Sequence, residues 1–278
     1  MENAKYIKVP CWCVAWQQKM NAPTNMSVVL MTVKGIYENK DKLNIVESDN
    51  EEMILTTKYI GNNLYNCIDG KLIRNALIWL KDNNVIKYHT DKKYLYIKIL
   101  FDEWAKKEQE YNNGDYKDKF FIVYQYAVRV GMDLSAKALF IPIMLSKYIY
   151  EKIKGTFVKN MSVSYVHTKF YGMFTELQEK HAVSKLVDAG YMTESALAYK
   201  HDCGFGKHRY FDLDMVKINK EADKFYRPYL DEKVVVVNSG GSHITKDKLK
   251  SGSYTQEEKD KFKRQAEELE AQDEKWIF

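Results

Sequence analysis

Cysteine is scarce, long apolar runs are missing, and no catalytic signature is present. The 278 residues hold four cysteines, Cys11, Cys13, Cys67 and Cys203. They are too few and too scattered for a disulfide framework, which fits a reducing compartment. A zinc site built on Cys11-Trp12-Cys13 needs two further ligands, and none is near in sequence. Two buried cysteines around a core tryptophan is the expectation there. No apolar run approaches the roughly 18–20 residues of a membrane span. The opening Met-Glu-Asn-Ala-Lys-Tyr has no apolar signal core behind it, so a cytoplasmic protein away from membranes is expected. There is no Gly-x-Ser-x-Gly, no His-Glu-x-x-His, no phosphate-binding loop and no His-hydrophobic-His motif. Carboxylates are plentiful but fall as helix-surface charge. The expectation is a non-enzyme with no cofactor and no metal.

Charge of one sign is also in short supply. The formal net charge is +5 and the pI about 8.7, which permits a nucleic-acid partner without requiring one. Hydrophobic residues make up 45% and charged residues 29%, the balance of a globular chain long enough for two domains. The 21 tyrosines, with abundant Lys, Asn and Ile, fit an A+T-rich coding sequence and need no base-stacking role.

What is present is one stretch of strong pattern, Asp69 to Ile99. Leu72, Ile73, Ala76, Leu77 and Leu80 recur at three- and four-residue spacing, which predicts a helix from about Gly70 to Asn83. Asp69 stands at its N-cap, with a carboxylate able to accept from first-turn amides. Asn83-Asn84 supplies a stop, because Asn tolerates left-handed backbone. Val85–Thr90 and Tyr94–Ile99 are β-branched and aromatic, with Asp91-Lys92-Lys93 as a polar turn between them. Upstream, Thr57–Leu64 predicts a short helix. Short helix, turn, longer helix and hairpin resemble a winged helix-turn-helix. In that family the second helix usually enters the major groove and the hairpin touches phosphate. The apolar face leaves Lys71, Arg74, Asn75 and Ile78 outward. Arg and Asn read guanine and adenine edges, and Lys pairs with phosphate. An outward polar face is also what any exposed helix shows, and winged helices serve as protein-binding modules as well.

The remainder divides around this stretch. Residues 1–24 are expected as an N-terminal strap and 25–101 as a first winged-helix domain. That domain has a helix over Asn25–Asn39 and a short strand at Met53–Leu55 pairing with the hairpin. Residues 102–119 are expected as a charged connector, half helical, and 120–237 as a second winged-helix domain with a C-terminal helix. Phe120–Val130 is expected to be strand-like. A helix follows with Ser135 as N-cap and Pro142 inducing a kink or a delayed start. Ser162–Phe170 predicts a second short helix. A third runs from its N-cap Thr175 to Gly190, with Leu177, Val183, Leu186 and Val187 inward and Gln178, His181, Ser184 and Lys185 outward. A hairpin comes next, then a helix ending near Arg227-Pro228, and a short strand over Val234–Val237. Residues 238–278 are expected as a flexible tail.

The second half, from Leu134 to Leu213, is similar to the N-terminal winged helix of phage and plasmid replication initiators and replisome organisers. The likeness rests on the apolar spacing, the caps, and the Leu186-x-x-x-Gly190-Tyr191 ending. Glu176 and Glu179 depart from the Ser/Thr/Arg-rich start usual for the third helix. The hairpin tip Lys200-His-Asp-Cys-Gly-Phe-Gly-Lys-His-Arg209 groups His201, Cys203 and His208, but their spacing matches no common zinc module. A basic wing is the preferred reading. The end, Trp276-Ile277-Phe278 after acidic residues, resembles the docking tips of single-stranded-DNA-binding proteins.

The sequence therefore predicts a mainly helical α+β chain with two winged helix-turn-helix domains in tandem and a flexible C-terminal tail. Its partner is expected to be double-stranded DNA, bound sequence-specifically in phage or plasmid replication initiation. Base contacts are expected from Lys71, Arg74, Asn75, Gln178 and His181. Phosphate contacts are expected from Lys92, Lys93, Lys200, Lys207 and Arg209. Trp276, Ile277 and Phe278 would dock a helicase, a helicase loader or another replication protein, and a homodimer fits as well. A transcriptional repressor and a non-catalytic protein-interaction module are the alternatives.

Overall fold

The computed structural model describes residues 5–91, 94–112, 119–134, 140–153, 170, 173–201, 204–231, 235–236 and 243–244, with the side chains of 195–211 among those left out. The chain is α+β and mainly helical. Its first half contains β1 (Tyr6–Pro10), α1 (Cys11–Lys19), α2 (Met26–Glu38), β2 (Met53–Leu55), α3 (Thr57–Asn63), α4 (Gly70–Asp82), β3 (Ile86–Asp91), β4 (Tyr94–Ile99) and α5 (Phe101–Tyr111). After it come β5 (Phe120–Tyr124), α6 (Gln125–Asp133), α7 (Phe140–Ile153), α8 (Glu176–Asp188), β6 (Met192–His201), β7 (Gly204–Leu213) and α9 (Met215–Asp231). The chain forms two compact units, residues 1–222 and 223–278, the second beginning within α9. In the second unit β8 (Val235–Val236) pairs antiparallel with β9 (His243–Ile244). No helix among the described residues is long and apolar enough to cross a membrane.

In the first half an antiparallel sheet of order β2-β4-β3 lies beside the helices. Met53 pairs with Ile97 and Tyr88 with Ile97 from the other side, so the hairpin's second strand is central. Period-two alternation buries Leu95, Ile97 and Ile99 and turns Tyr94 outward. The core beneath combines Val29, Val33, Ile73, Leu77 and Leu80.

Residues 1–24 are more than a strap. Val9 and all of Cys11, Trp12, Cys13, Val14 and Trp16 are buried. The cysteine pair flanks a core tryptophan, as expected. Trp12 meets Trp104 edge to face at 5.3 Å, and Trp16 meets Trp79 at 5.0 Å and Tyr111 at 6.4 Å. The stretch expected as a connector therefore supplies α5 to the first half's core through Trp104 and Tyr111. Its charged outer face concealed that role in the sequence.

The second half repeats the first from an earlier point than the sequence suggested. A five-residue strand runs without a break into a nine-residue helix at Pro10-Cys11 and again at Tyr124-Gln125. Helix α2 follows in the first half and α7 in the second. The expected strand over Phe120–Val130 stops at Tyr124, and Gln125–Asp133 instead form a helix that buries Tyr126, Ala127, Val128 and Val130. Pro142 lies near the start of the described part of α7, and residues 135–139 before it lie outside the described residues. Ser135, Ser162–Lys169 and the tail beyond Ile244 lie outside the described residues.

The two opening strands pair with each other. Tyr6 lies opposite Tyr124, Lys8 opposite Ile122 and Pro10 opposite Phe120. The first position of one copy faces the last of the other, with the central residues paired, which is the pairing of a local two-fold. This ribbon joins the halves within one unit. Pro228 lies inside α9, which continues to Asp231 past the expected stop at Arg227-Pro228.

Candidate nucleic-acid interface

Helix α3 begins where Thr56, extended at φ −121°, accepts the Tyr59 amide at 3.0 Å. It ends in two left-handed residues, Tyr65 (φ 50°) and Asn66 (φ 49°). The Asn66 amide donates back to the Gly61 carbonyl at 2.8 Å. A Cβ on Gly61 would stand 3.0 Å from Asn66 Oδ1, so the turn packs the Asn66 side chain close against the bare backbone there. Asp69 then occupies the N-cap of α4, but its side chain makes no capping hydrogen bond. The cap position was legible in the sequence and its carboxylate partner was not.

Helix α4 buries Ile73, Ala76, Leu77 and Leu80, while Leu72 is only half-buried. Lys71, Arg74, Asn75 and Ile78 are all exposed, as the spacing predicted. Arg74 Nε donates to Thr57 Oγ1 at 3.2 Å, tying the exposed face of α4 to the start of α3. A Cβ on Gly70 would meet Thr57 Cγ2 at 3.0 Å, so the two helix starts approach closely here. The Arg74 charge is also felt at Tyr88 on β3: burial pushes that hydroxyl's pKa up and the guanidinium offsets part of the rise. Lys58, exposed on α3, extends the basic surface. Sequence reading missed Thr57, Lys58 and Tyr88. The Thr56 cap was the available signal, since it fixes which α3 residues face the next helix.

The hairpin beside α4 has Asp91 paired with Tyr94 and a two-residue loop, Lys92-Lys93, which lies outside the described residues. On the sheet's outward face His89 stacks on Tyr96 at 4.5 Å and 4° between planes. Acidic groups collect there: Lys98 pairs with Glu51 at 2.6 Å, and Asp49, Asn50, Glu51 and Glu52 line a cleft with Lys87 and Lys98.

In the second half Thr175 caps α8 as expected, within a reciprocal capping box. Its hydroxyl accepts the Gln178 amide at 3.3 Å, and Gln178 Oε1 accepts the Thr175 amide at 2.9 Å. Gln178 is exposed, but its amide oxygen is turned back onto the helix start. His181 and Ser184 are exposed, and Lys185 Nζ donates to the Leu134 carbonyl at 2.9 Å. Val183 and Leu186 are buried and Val187 is half-buried. Leu177 is a correction: expected inward, it is 77% exposed, because at about 100° per residue it falls on the face opposite the buried stripe of Ala182, Val183 and Leu186. Lys200, Lys207 and Arg209 stand in the β6–β7 hairpin at register positions opposite Phe205, Ala198 and Ala196. Their side chains, with Cys203 and Trp276-Ile277-Phe278, lie outside what is described.

A triad ties the second half together. Tyr126 on α6 and Tyr191 after α8 both donate to Glu221 Oε2 on α9, at 2.9 and 2.8 Å. Burial and the shared carboxylate raise both tyrosine pKa values, that of Tyr191 to about 12. Lys217 lies over the Tyr191 ring at 4.4 Å and donates to the Ala189 carbonyl at 2.5 Å. No group of three His, Cys, Asp or Glu residues suited to a metal ion occurs among the described residues. The thiols of Cys11, Cys13 and Cys67 are buried, with pKa values raised to about 12 by desolvation. No family model, curated protein or solved structure matches the chain.

Proposed function

We propose that the chain is a tandem winged-helix protein that binds double-stranded DNA sequence-specifically, in the replication initiation of a phage or plasmid. The observation that carries the DNA reading is the exposed Lys71-Arg74-Asn75 face of α4, beside an antiparallel hairpin and braced by α3. A helix of that surface chemistry fits the major groove, where Arg and Asn discriminate bases and Lys meets phosphate. The order α2-β2-α3-α4-β3-β4 supports the winged-helix reading, and its partial repetition supports two domains. Gln178 and His181 are weaker base-reading positions, since the capping box engages the Gln178 oxygen. Lys92, Lys93, Lys200, Lys207 and Arg209 remain the proposed phosphate contacts. Trp276, Ile277 and Phe278 remain the proposed dock for a helicase or loader. Replication rather than repression rests on the likeness of Leu134–Leu213 to initiator domains.

Electrophoretic mobility shift on DNA flanking the protein's own gene tests the first part. The wild type is expected to give a selective shift that weakens steeply as salt rises, because phosphate contacts release counterions. Lys71→Ala/Arg74→Ala is expected to abolish selectivity. Binding indifferent to salt would sink the proposal. For the second part, the gene and its flanking DNA are placed on a vector lacking an origin. Replication that depends on intact Arg74 is expected, and a vector that never replicates while DNA binding is intact would favour repression.

A further inference from the structure

We infer that Arg74 reads a single guanine through the end of its guanidinium fork, and that Thr57 sets this reading by holding Arg74 Nε. The inference rests on the DNA-binding reading above. Guanidinium carries five N–H donors in a rigid plane. Thr57 Oγ1 takes the one on Nε at 3.2 Å. The four that remain are on the two terminal nitrogens, and Arg74 is exposed on the outward face of α4.

That division selects the base. Guanine alone offers two adjacent acceptors, O6 and N7, on its major-groove edge. Two parallel N–H groups at the tip of Arg74 match them. Adenine presents a donor where guanine presents O6, so the same fork meets a repelling N–H. Thymine offers one acceptor and a methyl group, and cytosine a donor. An arginine free to rotate could also turn to a phosphate. The Thr57 bond removes much of that freedom. Thr57 is itself placed by Thr56, which caps α3, and by Gly70, whose missing Cβ leaves room for the Thr57 methyl. Thr57 is thus a positioning residue, and its hydroxyl contacts no DNA.

The test is binding-site selection from a randomised duplex pool with the purified full chain, followed by affinities on the selected site and its single-base variants. The wild type is expected to select guanine at one position, with each other base there costing on the order of ten- to a hundredfold. Arg74→Lys is expected to lose the preference at that position alone. Thr57→Val, which keeps the shape and removes the acceptor, is expected to reduce the preference several-fold and leave the salt dependence of binding unchanged, because no phosphate contact is lost. Thr57→Ser restores the acceptor and is expected to restore the preference. Circular dichroism of each variant verifies that it is folded. Guanine preference undiminished in Thr57→Val, or a wild-type site with no base preference that depends on Arg74, overturns the inference while DNA binding itself stands. A wild type that binds no duplex overturns the DNA reading and this inference together.

Discussion

Desolvation sets the chemistry of individual residues most plainly at the thiols. Cys11, Cys13 and Cys67 ordinarily titrate near 9, and burial raises them to about 12. Between those values the unfolded chain releases protons that the folded chain keeps. Stability is therefore expected to be insensitive to these groups below pH 9 and to fall as pH rises from 9 towards 12. Urea denaturation at pH 8 and pH 10 checks the sign. At neutral pH a thiol reagent is expected to leave all three unmodified until denaturant is added, since the thiolate is the reactive form. At the surface, Arg74 and Thr57 show how one 3.2 Å hydrogen bond can orient an exposed side chain that would otherwise sample many rotamers. Trp16, wedged between Trp12, Trp79 and Tyr111, is the residue whose loss should be felt most in the first half. Trp16→Ala is expected to cost about 3–5 kcal/mol in urea denaturation, as a large core truncation.

Helix ends give the elements their definition. α4 and α8 finish alike: the Asn84 amide bonds Lys81 and the Val85 amide bonds Leu80, as Gly190 bonds Val187 and Tyr191 bonds Leu186. Each turn needs a left-handed residue, Asn84 at φ 58° and Gly190 at φ 70°. Gly190→Ala is expected to cost about 1 kcal/mol for that conformation, and Asn84→Gly to be neutral or slightly stabilising. Thermal denaturation of the two variants, read side by side, checks the opposite signs. The contact between α6 and α7 is closer still. A Cβ on Gly131 would lie 2.6 Å from Pro142 Cγ, and the ring cannot rotate away. Gly131→Ala is expected to destabilise by about 1–3 kcal/mol through overpacking, despite alanine's better helix propensity. A midpoint raised in urea by this substitution would contradict the contact.

At the scale of the whole first unit, residues 1–222, the β1–β5 ribbon is the feature to test. It joins two copies of a strand-helix-helix opening through pairing that is symmetric about Lys8 and Ile122. Val9 and Val123 are fully buried in it. Trp12, Trp16, Trp79 and Trp104 all lie in the first half, so with Trp276 replaced by Phe their emission reports on that half alone. Circular dichroism reports on both halves. The two urea transitions are expected to coincide in the full chain and to separate when residues 1–10 are deleted. Coincident transitions in the deletion variant would mean that other contacts couple the halves.

The sequence by itself determined the elements whose pattern is local. The apolar spacing of α4 placed its buried and exposed faces, Thr175 marked a helix start, and Asn84 and Gly190 marked helix ends. Met53–Leu55 was legible as the strand that pairs with the hairpin. These follow from periodicity and backbone preference, which neighbouring residues set among themselves. Only tertiary structure decided the rest. Tyr6–Lys19 became a strand and a buried helix because β5 and Trp104 lie against them. Phe120–Val130 became half strand and half helix because β1 offered a partner only as far as Tyr124. Asp69 caps without a side-chain bond, because such a bond depends on what stands nearby in space. For the candidate interface, local spacing named Lys71, Arg74 and Asn75, while the hydroxyl that orients Arg74 comes from a different helix, across a turn whose geometry no single residue announces.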